Sequence, residues 1–204
     1  MQRWLTMSAA ALGRAIAKGD IDPVDLAQTY LDAIDAHPFT SRIYTVVTRD
    51  RALVEAQAAS DRARLGQRKS ELDGVPVSWK DLFDTANVAT EAGSVLLADR
   101  MPEADCEVLR CAAELGLVCL GKTHMSELAF SGLGYNPRTA TPPCVNDYDA
   151  VSGGSSSGAA ASVAFGLAPL AIGSDTGGSV RIPAAWNDLV GLKTTSGRLS
   201  LEGV

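Results

Sequence analysis

The chain of 204 residues has few histidines and few cysteines, and both shortages restrict its chemistry. Its two histidines, His37 and His124, are too few for a histidine-rich metal site. The four cysteines show no CxxC spacing, which argues against a zinc site and against a disulfide framework. They are Cys106, Cys111, Cys119 and Cys144. We therefore expect no metal, no cofactor and reduced thiols, as in a cytoplasmic protein.

Positive charge is also scarce, because 18 Lys and Arg residues stand against 24 Asp and Glu residues, for a formal net charge of −6. Proteins that bind nucleic acid concentrate Lys and Arg, so we expect no direct contact with nucleic acid. No apolar run approaches the length of a membrane span, so we expect no membrane insertion. The length suffices for one substantial core or for part of a larger one.

Helical and strand patterns alternate along the chain. The predicted helices are Ser8 to Gly19, one opened by Asp22 and Pro23, Arg49 to Leu65, Ala104 to Leu115, and Ser156 to Phe165. The predicted strands are Ile43 to Val47, Val75 to Trp79, Leu117 to Leu120, a run within Leu167 to Ile172, and Leu189 to Leu192. This alternation predicts an α/β fold in which helices cover both faces of a sheet.

Two serines lie in glycine-rich turns, Ser155 within Gly153 to Gly158 and Ser179 within Gly173 to Arg181. The helix and the apolar run between them allow the fold to bring both turns to one edge of the sheet. Glycine-rich turns leave backbone N–H groups unobstructed, and such donors stabilise the oxyanion of acyl transfer. The two turns therefore predict an acyl-transfer enzyme.

Two motif matches in the chain fail on their context. Gly116 to Thr123 fits the GxxxxGK[ST] pattern, but its middle residues, Leu-Val-Cys-Leu, predict a buried strand rather than a flexible phosphate loop. Gly154 to Gly158 fits the GxSxG pattern of α/β-hydrolases, in which the catalytic histidine follows the serine. No histidine follows residue 124, so that triad cannot form from this chain.

A serine without histidine needs another base, and a neutral lysine can serve. Burial lowers the pKa of a lysine because it penalises the charged form. Lys80 is the candidate, because it lies between Trp79 and Asp81 at the end of an apolar strand, where active-site residues of parallel sheets gather. Taken alone, a lysine in a sequence is more often a solvated surface charge.

Five segments together resemble the amidase signature family of serine hydrolases. Gly74 to Asp81 matches the family's lysine segment, Gly153 to Gly158 its relay-serine segment and Gly173 to Ala185 its nucleophile segment. Gly121 to Glu127 and Gly191 to Arg198 match framework segments in the expected order. The resemblance implies a mixed central β-sheet covered by helices on both faces. It also implies that residues 1–204 are the N-terminal part of one domain, with a helical region to about residue 70 and a catalytic core from about residue 71.

The resemblance also assigns roles to residues. Ser179 is the expected nucleophile, and Ser155, in a cis peptide, is expected to relay protons between Ser179 and Lys80. Lys80 acts first as base and then as acid toward the leaving amine. Backbone N–H groups from Thr176 to Ser179 are expected to form the oxyanion hole.

Supporting roles follow for the neighbours of these residues. Gly177 and Gly178 permit the tight nucleophile turn, and Asp175 and Arg181 are expected to form an ion pair that shapes it. Ser156 is expected either to hydrogen-bond the relay or to cap the following helix. His124 is expected to be a hydrogen-bonded polar residue under the sheet.

Members of this family are longer than this chain, so we expect a fragment without the C-terminal part that completes the sheet and the acyl pocket. The preferred activity is hydrolysis of a small carboxylic amide. Thr141 to Asp149 does not closely resemble the run that precedes the relay serine in amidotransferase subunits, and Ser78 to Phe83 resembles general amidases. The alternative is the glutamine-hydrolysing A subunit of glutamyl-tRNA amidotransferase, with the other amidotransferase subunits as partners. Allophanate hydrolysis, fatty-acid amide hydrolysis, an inactive binding or structural module and a homodimer also stay open.

Overall fold

The computed structural model describes residues 2–204, and in them helices and strands alternate as the sequence predicts. The α-helices are α1 (Ala9–Lys18), α2 (Pro23–Ala36), α3 (Thr40–Ile43), α4 (Arg49–Arg64), α5 (Glu107–Glu114), α6 (Ser157–Ala164) and α7 (Arg181–Trp186). The strands are β1 (Tyr44–Val47), β2 (Pro76–Lys80), β3 (Val118–Thr123), β4 (Pro143–Cys144), β5 (Asp147–Val151) and β6 (Ala171–Ile172). Short 3₁₀ turns occupy Gln2–Thr6, Val95–Leu97 and Glu127–Ala129. None of the helices described combines the length and the hydrophobicity needed to cross a bilayer.

Four strands form the central sheet in the order β1-β3-β2-β6. Strand β2 runs parallel to both β3 and β6, whereas β1 pairs antiparallel with β3, so the sheet is mixed. Strands β4 and β5 form a separate antiparallel hairpin. Because β2 and β6 are adjacent and parallel, the residues that follow them meet at the same edge of the sheet.

Capping residues fix both ends of α1 and the start of α2. Ser8 Oγ accepts a hydrogen bond from the Ala11 N–H at 3.2 Å, and Gly19 ends α1 in the left-handed conformation, with φ of 78°. Asp22 accepts from the Val24 N–H at 2.8 Å and Pro23 occupies the first turn of α2. The predicted limits of α1 and the predicted start of α2 are therefore confirmed.

Helices pack on both faces of the sheet, as predicted. Successive side chains of β2 point to opposite faces and contact different helices. Val77 and Trp79 pack with Leu109 of α5 on one face. Ser78 lies on the opposite face, where its Oγ is 2.7 Å from Oγ of Ser162 in α6. The larger apolar core joins α1, α2 and α4 to the sheet. Its fully buried members include Leu12, Leu26, Leu31, Ala52, Val75, Val118 and Leu120.

The predicted strand from Leu189 to Leu192 is wrong, because this segment is irregular and exposed. Val190 is fully exposed, and the backbone of Gly191 packs closely on α7 instead of pairing with a strand. A strand needs a hydrogen-bonded neighbour, and no such neighbour lies beside it among residues 2–204.

Two other predicted elements are shorter than expected. Helix α5 begins at Glu107 rather than Ala104, because the Asp105 carboxylate is bound by Arg51 and by the Ala86 N–H in an extended segment. In the apolar run after α6, the Leu167 and Ala168 N–H groups bind the Ser162 carbonyl, which delays the strand to Ala171.

A tight glycine contact precedes β3. Gly116 has φ of +88°, and a Cβ there would lie 2.1 Å from Oδ1 of buried Asp73, the partner of Arg62. Gly66 also has a positive φ, of +67°, but nothing lies within 4 Å of its Cβ position. Alanine substitutions at these two glycines therefore separate the free-energy cost of the left-handed conformation from the cost of the contact with Asp73.

Gly66→Ala should lower the free energy of unfolding by about 1–2 kcal/mol, the cost of a left-handed alanine. Gly116→Ala should lower it by a further ~2 kcal/mol or more, because Asp73 must move within a buried ion pair. Urea denaturation of both variants measures the difference. Equal losses would show that the Asp73 contact is not restrictive.

Candidate active site

Lys80 is the last residue of β2, and its side chain is wholly buried, as are the other residues of that strand. Its Nζ lies 2.6 Å from Oγ of Ser155 and 2.7 Å from Oγ of Ser174. Burial lowers the pKa of Lys80 to about 7, although the Asp175 carboxylate acts in the opposite direction. Near neutral pH, a large fraction of this lysine is therefore the free amine that a general base requires.

Ser155 lies in the turn before α6, and it is also fully buried. The Gly154–Ser155 peptide bond is cis, as the family resemblance implies. The Ser155 carbonyl accepts a hydrogen bond from the Ser126 N–H at 3.1 Å, and the Gly154 N–H donates to the Gly132 carbonyl at 2.8 Å. The loop after β3 thus holds this turn through backbone contacts.

Ser179 lies in the turn between β6 and α7 and is half-buried. Its carbonyl accepts from the Ser156 N–H at 3.1 Å, which joins the nucleophile turn to the relay turn. The Ser156 hydroxyl joins them a second time, through the carbonyl and the N–H of Ser174 at 3.2 and 3.3 Å. The structure therefore brings the two serine turns together at the end of β2.

Ser156 is the N-cap residue of α6, but its side chain makes no capping hydrogen bond. Of the two roles expected for it, helix capping is therefore not the one its hydroxyl performs. It also makes no hydrogen bond to Ser155; it binds the backbone of Ser174 instead.

Asp175 organises the nucleophile turn. Its carboxylate is 2% exposed and pairs with the Arg181 guanidinium, with Nε and Nη2 each 2.9 Å away. It also accepts from the N–H groups of Gly178 at 2.8 Å and Val180 at 3.1 Å. The hydrogen bond from Arg181 holds the pKa of Asp175 well below its usual range, so the carboxylate is ionised.

These contacts bear on the predicted oxyanion hole. The Gly178 N–H is engaged by Asp175 and is not free to bind a substrate oxygen. Within residues 2–204, the N–H groups of Thr176, Gly177 and Ser179 have no hydrogen-bond partner. Thr176 and Gly177 are exposed, so their N–H groups are accessible to a ligand.

Sequence reasoning missed Ser174 as a partner of Lys80. The signal was available in the pairing of β6 with β2, where Ile172 lies opposite Trp79. A serine two residues after Ile172 follows its strand at the same edge at which Lys80 ends β2. The hydroxyl of Ser174 then reaches the lysine from the side of the nucleophile turn.

His124 differs from the expectation of a fully hydrogen-bonded residue. It is buried, but its Nδ1 has no hydrogen-bond partner within residues 2–204. Its backbone N–H donates to the Ile43 carbonyl, and its carbonyl accepts from Ser157 Oγ and the Gly158 N–H. Burial lowers the pKa of His124, so the imidazole is neutral at pH 7. Residues 2–204 contain no group of three or more His, Cys, Asp and Glu residues arranged to hold a metal ion.

The family comparison and the structural comparisons agree. A family model described as Amidase matches residues 25–204. The A subunit of glutamyl-tRNA(Gln) amidotransferase from Anaeromyxobacter dehalogenans (strain 2CP-C) is 43% identical over 194 residues, which are 94% of this chain and 39% of that protein. The chain thus spans about two-fifths of the length of the curated relatives it matches.

Solved amidases share the fold. The native peptide amidase from Stenotrophomonas maltophilia superposes with a TM-score of 0.90 at 36% identity, over 98% of this chain and 42% of that one. Fatty acid amide hydrolase gives a TM-score of 0.90 at 25% identity, over 98% and 36% of the two chains. Both are longer proteins that contain the arrangement of helices and strands described above.

Lys80 should titrate near pH 7, far below the ordinary lysine pKa of 10.5, because burial penalises its ammonium form. Titration of ¹³Cε-lysine by NMR measures this, with Lys80→Met to assign the signal. A Lys80 signal that stays ammonium-like up to pH 10 would contradict the assignment of Lys80 as a base.

Proposed function

The chain belongs to the amidase family, the amidase signature enzymes, and from this we propose that it hydrolyses carboxylic amides with Ser179 as nucleophile. The observation that carries the proposal is the buried contact of 2.6 Å between Lys80 Nζ and Ser155 Oγ. A lysine with a lowered pKa, in contact with a serine hydroxyl, is a base prepared for proton transfer.

In the first step, neutral Lys80 takes the proton of Ser155, while Ser155 takes the proton of Ser179. Oγ of Ser179 attacks the amide carbonyl carbon and forms a tetrahedral intermediate whose oxygen carries the negative charge. The free N–H groups of the nucleophile turn stabilise that charge. Thr176 and Gly177 are the best candidates, because their N–H groups are exposed and unpaired within residues 2–204.

In the second step, the proton held by Lys80 passes through Ser155 to the leaving nitrogen. The C–N bond breaks, ammonia or an amine departs, and the acyl group remains as an ester on Ser179. Water then attacks the ester and gives up its proton through the same relay. The carboxylic acid leaves, and Ser179 and Lys80 return to their starting states.

Ser174 orients the base. A neutral amine has two N–H donors and one lone pair, and Ser174 Oγ lies 2.7 Å from Nζ. When Ser174 accepts one N–H of Lys80, the lone pair is free to face the hydroxyl of Ser155. The pair Asp175 and Arg181 acts indirectly, because it fixes the turn that carries Ser179.

A second candidate function is release of ammonia from glutamine for a partner protein. It is favoured by the curated relatives, which are A subunits of glutamyl-tRNA(Gln) amidotransferase at 38–43% identity. The same residues would perform the chemistry, with glutamine as the amide. Ammonia release from glutamine, compared with release from simple carboxylic amides, separates the two candidates.

A fluorophosphonate probe should modify Ser179, with an adduct found by peptide mass spectrometry. The labelling rate should rise with pH through about 7, because deprotonation of Lys80 supplies the base. Lys80→Met should slow labelling by about 100-fold or more, within the range for loss of a general base. Lys193→Met is the matched control, an exposed lysine whose loss should change nothing. A folded chain without an adduct on Ser179 would contradict the proposal.

Ser174→Ala should slow labelling of Ser179 roughly fivefold, since one hydrogen bond contributes about 1 kcal/mol to the arrangement of the base. Ser174→Thr keeps the hydroxyl and should retain most of the rate. The measurement is the labelling rate at pH 8 for the three proteins. Equal rates for the alanine and threonine variants would exclude a role for the hydroxyl.

A further inference from the structure

A second buried lysine, Lys122, lies on β3, the strand that pairs with the strand of Lys80. It belongs to the framework segment Gly121 to Glu127, which has no part in the proposed mechanism. In the pairing of β2 with β3, Lys122 is opposite Trp79 and Thr123 is opposite Lys80. Because side chains alternate along a strand, Lys122 leaves the sheet on the face opposite to that of Lys80. It is therefore no second base for the serines.

The Lys122 ammonium binds two groups in the interior. Its Nζ lies 3.1 Å from Oδ1 of Asp81 and 2.7 Å from Oγ1 of Thr90. The side chains of Lys122 and Asp81 are 0% and 2% exposed. Buried charges are costly unless they are paired and hydrogen-bonded, so this pair fixes the positions of the segments that carry it.

The first segment is the end of β2. Asp81 directly follows Lys80, and its N–H donates to the Thr123 carbonyl at 3.0 Å. The Lys80 carbonyl accepts from the N–H groups of Leu82 and Phe83, so the chain turns sharply at this point. Because Lys122 binds the Asp81 carboxylate, it fixes the backbone at the residue next to Lys80.

The second segment is the loop that contains Thr90. The Glu91 N–H donates to Oδ2 of Asp81 at 3.2 Å, and the Ala92 N–H donates to the Asp81 carbonyl at 2.9 Å. Lys122 and Asp81 thus fix this loop at three consecutive residues, one through a side chain and two through the backbone.

The same loop leads to the relay serine. The Ala92 carbonyl accepts from the Leu128 N–H at 2.9 Å, in the turn that follows β3. Two residues earlier in that turn, the Ser126 N–H donates to the Ser155 carbonyl at 3.1 Å. A path of hydrogen bonds, joined through the main chain of residues 126–128, therefore leads from the cluster of Lys122, Asp81 and Thr90 to the backbone of Ser155.

We propose that Lys122 is a positioning residue for the proton relay, which holds the end of β2 and the Thr90 loop so that Lys80 and Ser155 stay in contact. The inference rests on the proposed function, since it assigns Lys122 to the same site. Lys122 touches neither serine, and its effect passes through Asp81 and Thr90.

Two variants test the cluster. Lys122→Met keeps the length of the side chain and removes its charge and donors, and Thr90→Val removes one hydroxyl without a change of charge. Both should reduce the limiting rate of Ser179 labelling at high pH, by up to about 100-fold for Lys122→Met, because a misplaced reacting group costs that much. Thr90→Ser restores the hydroxyl and should restore the rate.

The pKa of Lys80 supplies a readout that general destabilisation does not change. When the end of β2 loosens, water reaches Nζ and the burial that lowers its pKa is lost. Loss of the Lys122 cation acts in the same direction. We expect the NMR titration midpoint of Lys80 to rise by about one pH unit or more in Lys122→Met and by less in Thr90→Val.

Arg62→Met is the matched control. Arg62, in α4, pairs with Asp73, whose side chain is also fully buried and lies before β2. Within residues 2–204, none of the hydrogen bonds of this pair reaches a site residue. Its loss should lower the melting temperature in the same way as Lys122→Met and leave the labelling rate and the Lys80 titration unchanged.

The outcomes separate the two proposals. Lys122→Met and Thr90→Val proteins that match wild type in Lys80 titration midpoint would overturn the positioning role, whatever their stability. Wild-type protein that shows no Ser179 adduct would overturn the proposed function, while the Lys80 titration still decides the role of Lys122. If Lys122→Met does not fold, Thr90→Val and Thr90→Ser decide alone, and equal midpoints for both overturn the proposal.

Discussion

The burial of one amine determines much of this structure. Lys80 loses its contact with water at the end of β2, and the two hydroxyls beside Nζ replace only part of that solvation. The remaining cost appears as a pKa lowered to about 7, the property on which the proposed role of Lys80 as a base depends. The surrounding elements keep this amine dry and in contact with serines on two separate turns.

Small residues make that arrangement possible. Helix α6 reads Ser-Gly-Ala-Ala-Ala-Ser-Val-Ala and approaches the sheet closely, with a Cβ at Gly158 meeting the His124 backbone at 2.6 Å. In the turn before it, a Cβ at Gly154 would lie 2.5 Å from the Gly134 nitrogen. Neither position accepts a larger residue unless the backbone moves, so glycine is a packing requirement at both positions.

Much of the fold was predictable because its signals are local. Ser8, Gly19 and Asp22 mark helix ends through their own side chains or backbone, and the apolar run before Lys80 predicts a buried strand.

Features that depend on distant segments were not predictable in the same way. Ser174 becomes a partner of Lys80 only through the pairing of β6 with β2. The Gly178 N–H is occupied by a local contact, from Asp175 in the same turn, but that contact depends on the conformation of the turn, which the residue types alone do not determine. The segment around Val190 has strand-like residues but no neighbouring strand among residues 2–204.

The position of Lys80 in the chain has a consequence for how the site forms during folding. Its two hydroxyl partners lie 75 and 94 residues further along the sequence. Contacts at such separations close large loops, and loop closure must be complete before these contacts contribute any stability. A partly folded chain with intact helices therefore lacks the buried contacts of Lys80 with Ser155 and Ser174. Under the proposed function, serine reactivity would therefore arise only with this long-range pairing of strands and would report directly on its formation.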